Sequence, residues 1–434
     1  MRRFLTASVV LCLALTGCSA GSLGSSEDDG DGVTLTFLVD NSDTNRKLGE
    51  GLATAFAAAN PGITVKVEIR PQGTEGDNLI KTRLATGDMT DVFQYNSGSL
   101  MQALAPAKNL VAVGDQPWAA QLDQNFTTSV TADGKVYAAP FGNYNAGAIL
   151  YNRAVYARLG LTVPVTWAEF EANNAALKAA GIAPVVQSYG ETWTSQLFIL
   201  GDFHNVSAAD PRFAEKYTAN QVKYASTPAA VAGFQHLQRV HDAGWTNEDF
   251  ASAKLDDAIA LLAEGKGAHY PILSGIISQL AGTFPDKVDD IGLFAVPGTD
   301  AAKNGLTVWA PAGVYLPAST TDAKREAALK FLAFVASPAG CDAQTAAAAP
   351  QGPFALTGCT LPDSVPQAVK DMQTYLSTPG RSSLALEFLS PVKGPALEQI
   401  CVEVGSGIRD AKSGAELYDE DVKKQAQQLG LTGW

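Results

Sequence analysis

The segment from residue 33 to residue 95 alternates between two patterns, and this alternation restricts the fold more than any other feature. Short runs rich in β-branched and apolar residues, such as VTLTFLVD at 33–40, predict strands. The predicted order is strand 33–40, helix 48–59, strand 63–69, helix 78–86 and strand 91–95. Strands that alternate with helices predict a parallel α/β sheet, in which ligands bind beyond the carboxyl ends of the strands.

Helix and strand patterns continue beyond this segment to the end of the chain. Residues 289–296 and 308–316 predict two further strands, and residues 322–336 predict an amphipathic helix. A chain of 434 residues is longer than one hydrophobic core usually supports, so we expect two lobes. After the amino-terminal run, no stretch is apolar over the roughly 20 residues that a membrane-spanning helix needs.

The amino terminus has the pattern of a secretory leader. Two arginines precede an apolar run at 4–15, which is too short to span a bilayer. The sequence LTGC at 15–18 resembles the bacterial lipobox. That resemblance implies a signal peptide over residues 1–17, which is removed before Cys18, and a lipid on the Cys18 thiol. The alternative is an ordinary cleaved signal in which the cysteine occurs by chance.

The residues after the leader predict a flexible tether. Residues 18–32 are mostly Ser, Gly and acidic residues, which cannot bury apolar area. With a lipid at Cys18, this segment would hold the protein at the extracytoplasmic face of the cell membrane. We expect folded structure to begin near Val33.

Charge excludes one class of partner. The formal net charge is −13, and no cluster of Lys and Arg stands out. A nucleic-acid-binding protein needs a basic patch, so we expect no nucleic-acid partner. An acidic surface favours solubility and does not identify a substrate.

Three cysteines lie beyond the leader, at positions 341, 359 and 401. An exported protein can form disulfides. Because Cys341 and Cys359 bracket a loop rich in Ala, Pro and Gly, we expect these two to pair and Cys401 to stay reduced. The alternative is three buried free thiols. The cysteine spacing matches no zinc template and the four histidines do not cluster with them, so we expect no metal and no cofactor.

Seven short stretches have the residues and the order of one known family. They are FAAANPGI at 56–63, GDMTDV at 87–92, DGKVYAAP at 133–140, LYNR at 150–153, PVTWAEF at 164–170, GKGA at 265–268 and the helix at 327–338. Behind a lipobox, this pattern resembles the extracellular solute-binding proteins, family 1, of ATP-driven carbohydrate importers. One departure is Ser274-Gly275-Ile276, where many relatives carry Gly-x-Trp and a stacking aromatic residue.

The resemblance implies both a fold and a function. The implied fold is two-lobed α/β, of the periplasmic-binding-protein type II class, with a hinge and a ligand cleft between the lobes. We expect residues 33–140 and 305–360 in lobe 1, and residues 141–304 and 361–434 in lobe 2. The implied function is capture of a sugar or oligosaccharide and its delivery to the permease subunits of an ABC transporter, by a monomer that is not an enzyme.

Nine residues are candidates for ligand binding, because sugars are bound by aromatic faces and by amide or carboxylate groups. Four end or directly follow the first and third predicted strands, two precede LYNR at the expected lobe crossing, and two lie in a Gly-flanked loop where relatives place ligand contacts. Trp193 and Trp309 are the stacking candidates. The nine are Asp40, Asn41, Tyr95, Asn96, Asn143, Asn145, Glu191, Trp193 and Trp309. The alternatives are a helix cap or turn for the polar residues and a core position for each Trp.

Two other functions remain open at this point. An anchored carbohydrate-active enzyme would need two carboxylates at a defined separation, which 44 acidic residues can supply in ways that one sequence does not reveal. The ligand-binding subunit of a sensor would share the fold and the cleft. No nucleophile elbow, zinc-protease motif or phosphate loop occurs in the sequence.

Overall fold

A computed structural model describes residues 32–434. The predicted signal peptide, Cys18 and the tether up to residue 31 lie outside the described residues. Within residues 32–434, no helix combines the length and the apolar character needed to cross a membrane.

Thirteen strands are present in the described part of the chain. They are β1 (Val33–Asp40), β2 (Ile63–Arg70), β3 (Val92–Tyr95), β4 (Thr131–Ala132), β5 (Lys135–Val136), β6 (Ala138–Phe141), β7 (Asn145–Asn152), β8 (Ala183–Val185), β9 (Gly267–Leu273), β10 (Ile291–Phe294), β11 (Leu306–Trp309), β12 (Ala312–Tyr315) and β13 (Ser382–Leu384).

The α-helices follow the same chain order, with short 3-10 turns between some of them. They are α1 (Asp43–Ala59), α2 (Gly73–Thr86), α3 (Ser99–Gln102), α4 (Pro106–Asn109), α5 (Gln124–Ser129), α6 (Arg153–Leu159), α7 (Trp167–Ala179), α8 (Leu197–Leu200), α9 (Phe203–Ala209), α10 (Phe213–Thr218), α11 (Pro228–Asp242), α12 (Leu255–Ala263), α13 (Ile277–Thr283), α14 (Asp322–Val335), α15 (Pro338–Ala347), α16 (Gln367–Leu376), α17 (Leu386–Leu389), α18 (Leu397–Gly405) and α19 (Ala411–Gln428).

The first sheet contains the alternation that the sequence predicts. Its order is β2–β1–β3–β12–β6, with β1 parallel to both β2 and β3. Helix α1 begins at residue 43 rather than 48, because the Ser42 side chain accepts a hydrogen bond from the Asn45 backbone and caps the helix there. Helices α1 and α14 pack on this sheet, where Phe37, Phe56 and Phe331 meet edge to face.

The second sheet is mainly antiparallel. Its order is β13–β11–β7–β9–β8, and β10 also pairs with β7. The long strand β7 is central, because β9 lies along one edge while β10 and β11 share the other. The two-lobed α/β fold predicted from the resemblance is confirmed by these two sheets and their helices.

The chain passes between the sheets at residues 142–144 and again at residues 310–311. The strand predicted at 308–316 is wrong in one respect, because it is two strands in different sheets. Pro311 lies at the break, and a proline has no N–H to donate to a strand ladder. Strand β11 pairs within the second sheet and β12 within the first. The predicted lobe boundaries placed residues 305–360, which include both strands, in lobe 1.

The described cysteines occupy two different settings. A disulfide joins Cys341 in α15 to Cys359, with the two Cα atoms 6.0 Å apart. Cys401 in α18 is a free and fully buried thiol. Its burial raises the pKa of the Cys401 thiol well above its ordinary value, which keeps it protonated and unreactive.

Candidate functional site

The carboxyl ends of β1 and β3 face the residues at which the chain passes between the sheets. Together they enclose a space of about 220 Å³, which we call the cleft cavity. Of the nine predicted residues, four line it: Asp40, Asn96, Asn143 and Asn145. The other lining residues are Thr44, Asn45, Leu48, Gln94, Phe141, Gly142, Ala310, Pro311, Ala312, Ala348, Ala349 and Gln351.

Asp40 is the last residue of β1 and is only 8% exposed. Its carboxylate accepts hydrogen bonds from the Ser42 backbone at 2.9 Å, from Asn45 Nδ2 at 2.7 Å and from Gln72 Nε2 at 3.4 Å. Burial by itself would raise the pKa of Asp40, but these hydrogen bonds outweigh it and lower the pKa below its usual value. The cleft cavity therefore holds an ionised carboxylate with fixed orientation.

Gln94 is a lining residue that the sequence analysis missed. It is 1% exposed, and its Oε1 accepts hydrogen bonds from the Asp40 backbone at 3.4 Å and from Arg70 Nη2 at 3.3 Å. The signal that identifies it is the period of two along a strand, which places residues 94 and 96 on the same side of β3.

The same period turns Tyr95 away from the cleft cavity. Tyr95 is fully buried, and the guanidinium of Arg70 lies 5.6 Å from its ring centroid. Burial raises the pKa of the Tyr95 hydroxyl well above its ordinary value. Asn41, which follows Asp40, is exposed to solvent and does not line the cavity.

Two asparagines at the first crossing line the cavity and carry buried polar atoms. Asn143 Nδ2 and Asn145 Oδ1 are buried and have no hydrogen-bond partner within residues 32–434. One is a donor and the other an acceptor, which is the pair that a hydroxyl group satisfies. The neighbouring backbone is held in place, because the Gly142 N–H donates to Gln344 Oε1 of α15 at 2.7 Å.

The predicted tryptophans and Glu191 do not line the cleft cavity. Trp193 lies half-buried in a 3-10 turn against the core, and its Nε1 donates to Glu191 Oε2 at 3.3 Å. Trp309 ends β11, and its Nε1 donates to Glu387 Oε1 at 2.6 Å. The aromatic ring that does line the cavity is Phe141, at the end of β6.

The remaining lining residues come from segments that are distant in sequence. Thr44 and Asn45 belong to the first turn of α1, and Gln351 follows α15. No local pattern identifies them, because only the packing of α15 against α1 brings them together. Among the residues described, no three His, Cys, Asp or Glu side chains are grouped as a metal site would require.

Sequence comparisons find relatives among proteins named for sugar binding. The multiple sugar-binding protein of Streptococcus mutans serotype c is 26% identical over 303 residues, which cover 68% of this chain and 69% of that protein. The melibiose/raffinose/stachyose-binding protein MelE of Bacillus subtilis is 24% identical over 337 residues, 76% of each chain.

Solved structures share the fold at low sequence identity. The apo form of RafE from Streptococcus pneumoniae superposes with a TM-score of 0.77 at 20% identity, over 92% of this chain and 99% of that chain. A chitin oligosaccharide binding protein gives a TM-score of 0.71 at 22% identity, over 92% of this chain and 100% of that one. The model of the family described as bacterial extracellular solute-binding protein matches residues 41–340. The chain therefore belongs to the bacterial extracellular solute-binding proteins, as its sequence motifs predict.

Proposed function

We propose that this protein captures a sugar or oligosaccharide in the cleft cavity and delivers it to the permease subunits of an ABC transporter. The observation that carries the proposal is the set of amide groups around one ionised carboxylate, Asp40, at the carboxyl ends of two parallel strands. Such groups match the alternating donors and acceptors of sugar hydroxyls. The sugars named for the two relatives above support the same ligand class.

The side chains that line the cleft cavity do not support the alternative that this protein is a carbohydrate-active enzyme. Hydrolysis of a glycosidic bond uses two carboxyl groups on either side of that bond. Among the described lining residues, Asp40 is the only carboxylate, and its lowered pKa makes it a poor proton donor. We expect the bound sugar to be released unchanged.

A thermal-shift screen tests ligand class and chemistry together. The purified protein is heated with mono- and oligosaccharides that include melibiose, raffinose, stachyose and chitin oligosaccharides. A ligand at 100 times its dissociation constant stabilises the folded state by about 2.7 kcal/mol. Chromatography of the recovered ligand then shows whether it is intact. A panel with no stabilising sugar, or a ligand recovered in hydrolysed form, would contradict the proposal.

A substitution of Asn145 tests whether the sugar binds in the cleft cavity. Asn145 lines the cleft cavity and its Oδ1 has no hydrogen-bond partner within residues 32–434, so Asn145→Ala should weaken the binding of a sugar found in the screen at least fivefold, about 1 kcal/mol. Gln428→Ala is the matched control, because Gln428 is exposed at the end of α19. Equal affinity in the two variants would show that the sugar binds elsewhere.

Delivery to an importer, rather than to a sensor, is the second part of the proposal. The two roles use the same fold and the same capture step, so binding data do not separate them. Uptake of the labelled sugar by vesicles that contain the partner permease separates them, because only an importer moves the sugar across the membrane. Binding without uptake would favour the sensor subunit.

We also propose that a lipid on Cys18 anchors the protein at the extracytoplasmic face of the membrane. Support comes from the sequence LTGC at 15–18 and from the Ser- and Gly-rich residues that follow it. Cys18→Ala should move the protein from the membrane fraction to the soluble fraction. A variant that remains in the membrane fraction would show that another segment holds it there.

A further inference from the structure

A cavity larger than the cleft cavity lies among the helices that follow β8 and the loop after β10. Its volume is about 590 Å³, within the range of small-molecule sites. Helices α9 and α11 and the loop after β10 form its walls, and it shares no lining residue with the cleft cavity. We call it the second cavity. Its lining residues are Asp202, Asn205, Val206, Ala208, Ala209, Asp210, Thr227, Pro228, Ala229, Ala232, His236, Gly298, Thr299, Asp300 and Lys303.

Asp202 is the first of two buried polar groups in the lining of the second cavity. It is 2% exposed, and its carboxyl group accepts one side-chain hydrogen bond, from Asn205 Nδ2 at 2.7 Å. Within the described residues no basic side chain pairs with it. Burial raises the pKa of Asp202 to about 8, and the Asn205 hydrogen bond offsets this only in part.

His236 is the second such group. It is 8% exposed, and its Nδ1 is buried without a hydrogen-bond partner in residues 32–434. The Trp167 ring stacks on the imidazole at 3.6 Å between centroids, with an angle of 11° between the planes, so the ring has a fixed orientation. Burial lowers the pKa of His236 to about 3, which leaves the imidazole neutral.

The chemistry of the lining selects the class of ligand. Asp202 offers acceptor oxygens, and the neutral imidazole of His236 offers one acceptor, the ring nitrogen that does not carry the proton. The walls between these groups are mainly apolar, from alanine, valine and proline side chains. Asp210 is paired with Lys216 at 2.6 Å, and Asp300 and Lys303 carry opposite charges. The preference for a cation over an anion therefore depends on Asp202, which ionises when a cation compensates for its burial.

We propose that the second cavity is a binding site for a small organic cation, a primary ammonium group on a short apolar body. The ammonium has three donors and no acceptor, which complements Asp202 and His236, while the body covers the apolar wall. The proposal does not depend on sugar binding at the cleft.

Three six-carbon probes of equal length test the proposal: hexylammonium, hexanol and hexanoate. We expect hexylammonium to raise the unfolding temperature and to titrate with one site per chain. Hexanol should bind at least tenfold more weakly, since it lacks the charge, and hexanoate should not bind. Equal binding of all three, binding of hexanoate alone, or no binding of hexylammonium would overturn the proposal.

Two variants locate the site. Asp202→Asn keeps the size of the side chain and removes the charge, so hexylammonium affinity should fall at least tenfold. Ala232→Leu fills the cavity from α11 and should abolish binding even if the first variant does not fold. Ala172→Leu, at an exposed position of α7, is the matched control. Unchanged hexylammonium affinity in Ala232→Leu would overturn the assignment.

Discussion

Asp40 in the cleft cavity and Asp202 in the second cavity are the same residue type at nearly the same exposure, 8% and 2%. Their pKa values nevertheless shift in opposite directions, down for Asp40 and up to about 8 for Asp202. Asp40 accepts hydrogen bonds from three neighbouring groups, whereas Asp202 accepts one side-chain bond. Asp202 is also the more deeply buried of the two, so deeper burial and a smaller supply of hydrogen bonds act together to raise its pKa.

The two cavities consequently suit different ligands. The cleft cavity has a pre-oriented charge and several amides, and it can hold a neutral, hydroxyl-rich molecule without any change in protonation. The second cavity has a carboxyl group that is ionised only when a cation compensates for its burial.

Asp202 should make a large contribution to the pH dependence of stability, opposite in sign to that of the buried neutral imidazole of His236. The pKa of Asp202 is raised in the folded state, so the folded protein retains a proton that the unfolded chain loses above a pKa of about 3.9. The contribution of Asp202 to stability is therefore lost as pH rises between about 4 and about 8, by on the order of 3–5 kcal/mol. Urea unfolding in amine-free buffers should show that Asp202→Asn removes this loss, whereas Asp300→Asn at an exposed position does not. Parallel curves for the parent and Asp202→Asn would contradict the comparison.

The disulfide should stabilise the cleft side of the molecule selectively. It closes a loop of 18 residues, and a loop of this size contributes about 3 kcal/mol by chain entropy. The loop contains Gln344, which holds Gly142, and Gln351 of the cavity lining. A Cys341→Ala and Cys359→Ala double variant should lose this stability and also bind sugar more weakly.

Cys401→Ala is the control for the disulfide variant, because it also removes a cysteine but breaks no bridge. Peptide mapping of the parent without reduction identifies the linked pair directly. A bridge that includes Cys401, or a fully reduced protein, would show that the pairing of Cys341 with Cys359 is wrong.

Asp40 should show the opposite pH dependence to Asp202, with a smaller amplitude. The pKa of Asp40 is lowered in the folded state. Its carboxylate therefore stabilises the fold above the unfolded-state pKa of about 3.9, and this stabilisation is lost as pH falls through the pKa of the folded state. Asp40→Asn should reduce stability by about 2 kcal/mol at neutral pH. The difference from the parent should disappear in acid. A difference that is constant with pH would mean that the charge of Asp40 contributes nothing.

Trp193 tests whether the ligand site extends beyond the cleft cavity that is seen here. If a sugar ring stacks on its indole, Trp193→Ala should weaken binding about tenfold, or about 1.4 kcal/mol, while stability is retained. A core tryptophan behaves differently, since its truncation typically removes about 3–5 kcal/mol of stability. Affinity and urea stability are measured on the same variant, with Trp309→Ala beside it. Unchanged affinity would restrict aromatic contacts to Phe141.

Much of the fold could be predicted from the sequence because local patterns determine it. The five alternating elements of residues 33–95 each have their own hydrophobic period and their own breakers, such as Asn60-Pro61-Gly62. The sequence did not predict the break between β11 and β12, because one apolar run covers both strands. Pro311 did not identify the break, since prolines also occur at the ends of single strands. An apolar run that predicts a strand does not reveal which sheet that strand joins.

The candidate site could be predicted only where it follows the ends of local elements. Asp40 and Asn96 could be found because they end predicted parallel strands, and ligands bind at that edge. Gln94 could have been found from its position two residues before Asn96. Thr44, Asn45 and Gln351 could not be found, since their place in the lining depends on how α1 and α15 pack. Asp202 and His236 carry no motif at all.

The most direct test of the cleft assignment is a crystal structure of the protein with the sugar that stabilises it most strongly in the thermal-shift screen. We predict electron density for the sugar between the strand ends and the first crossing. Its hydroxyl groups should lie within hydrogen-bond distance of the Asp40 carboxylate and of the amides of Asn96, Asn143 and Asn145. Density for the sugar in the second cavity, or at any surface that does not include these four residues, would contradict the assignment.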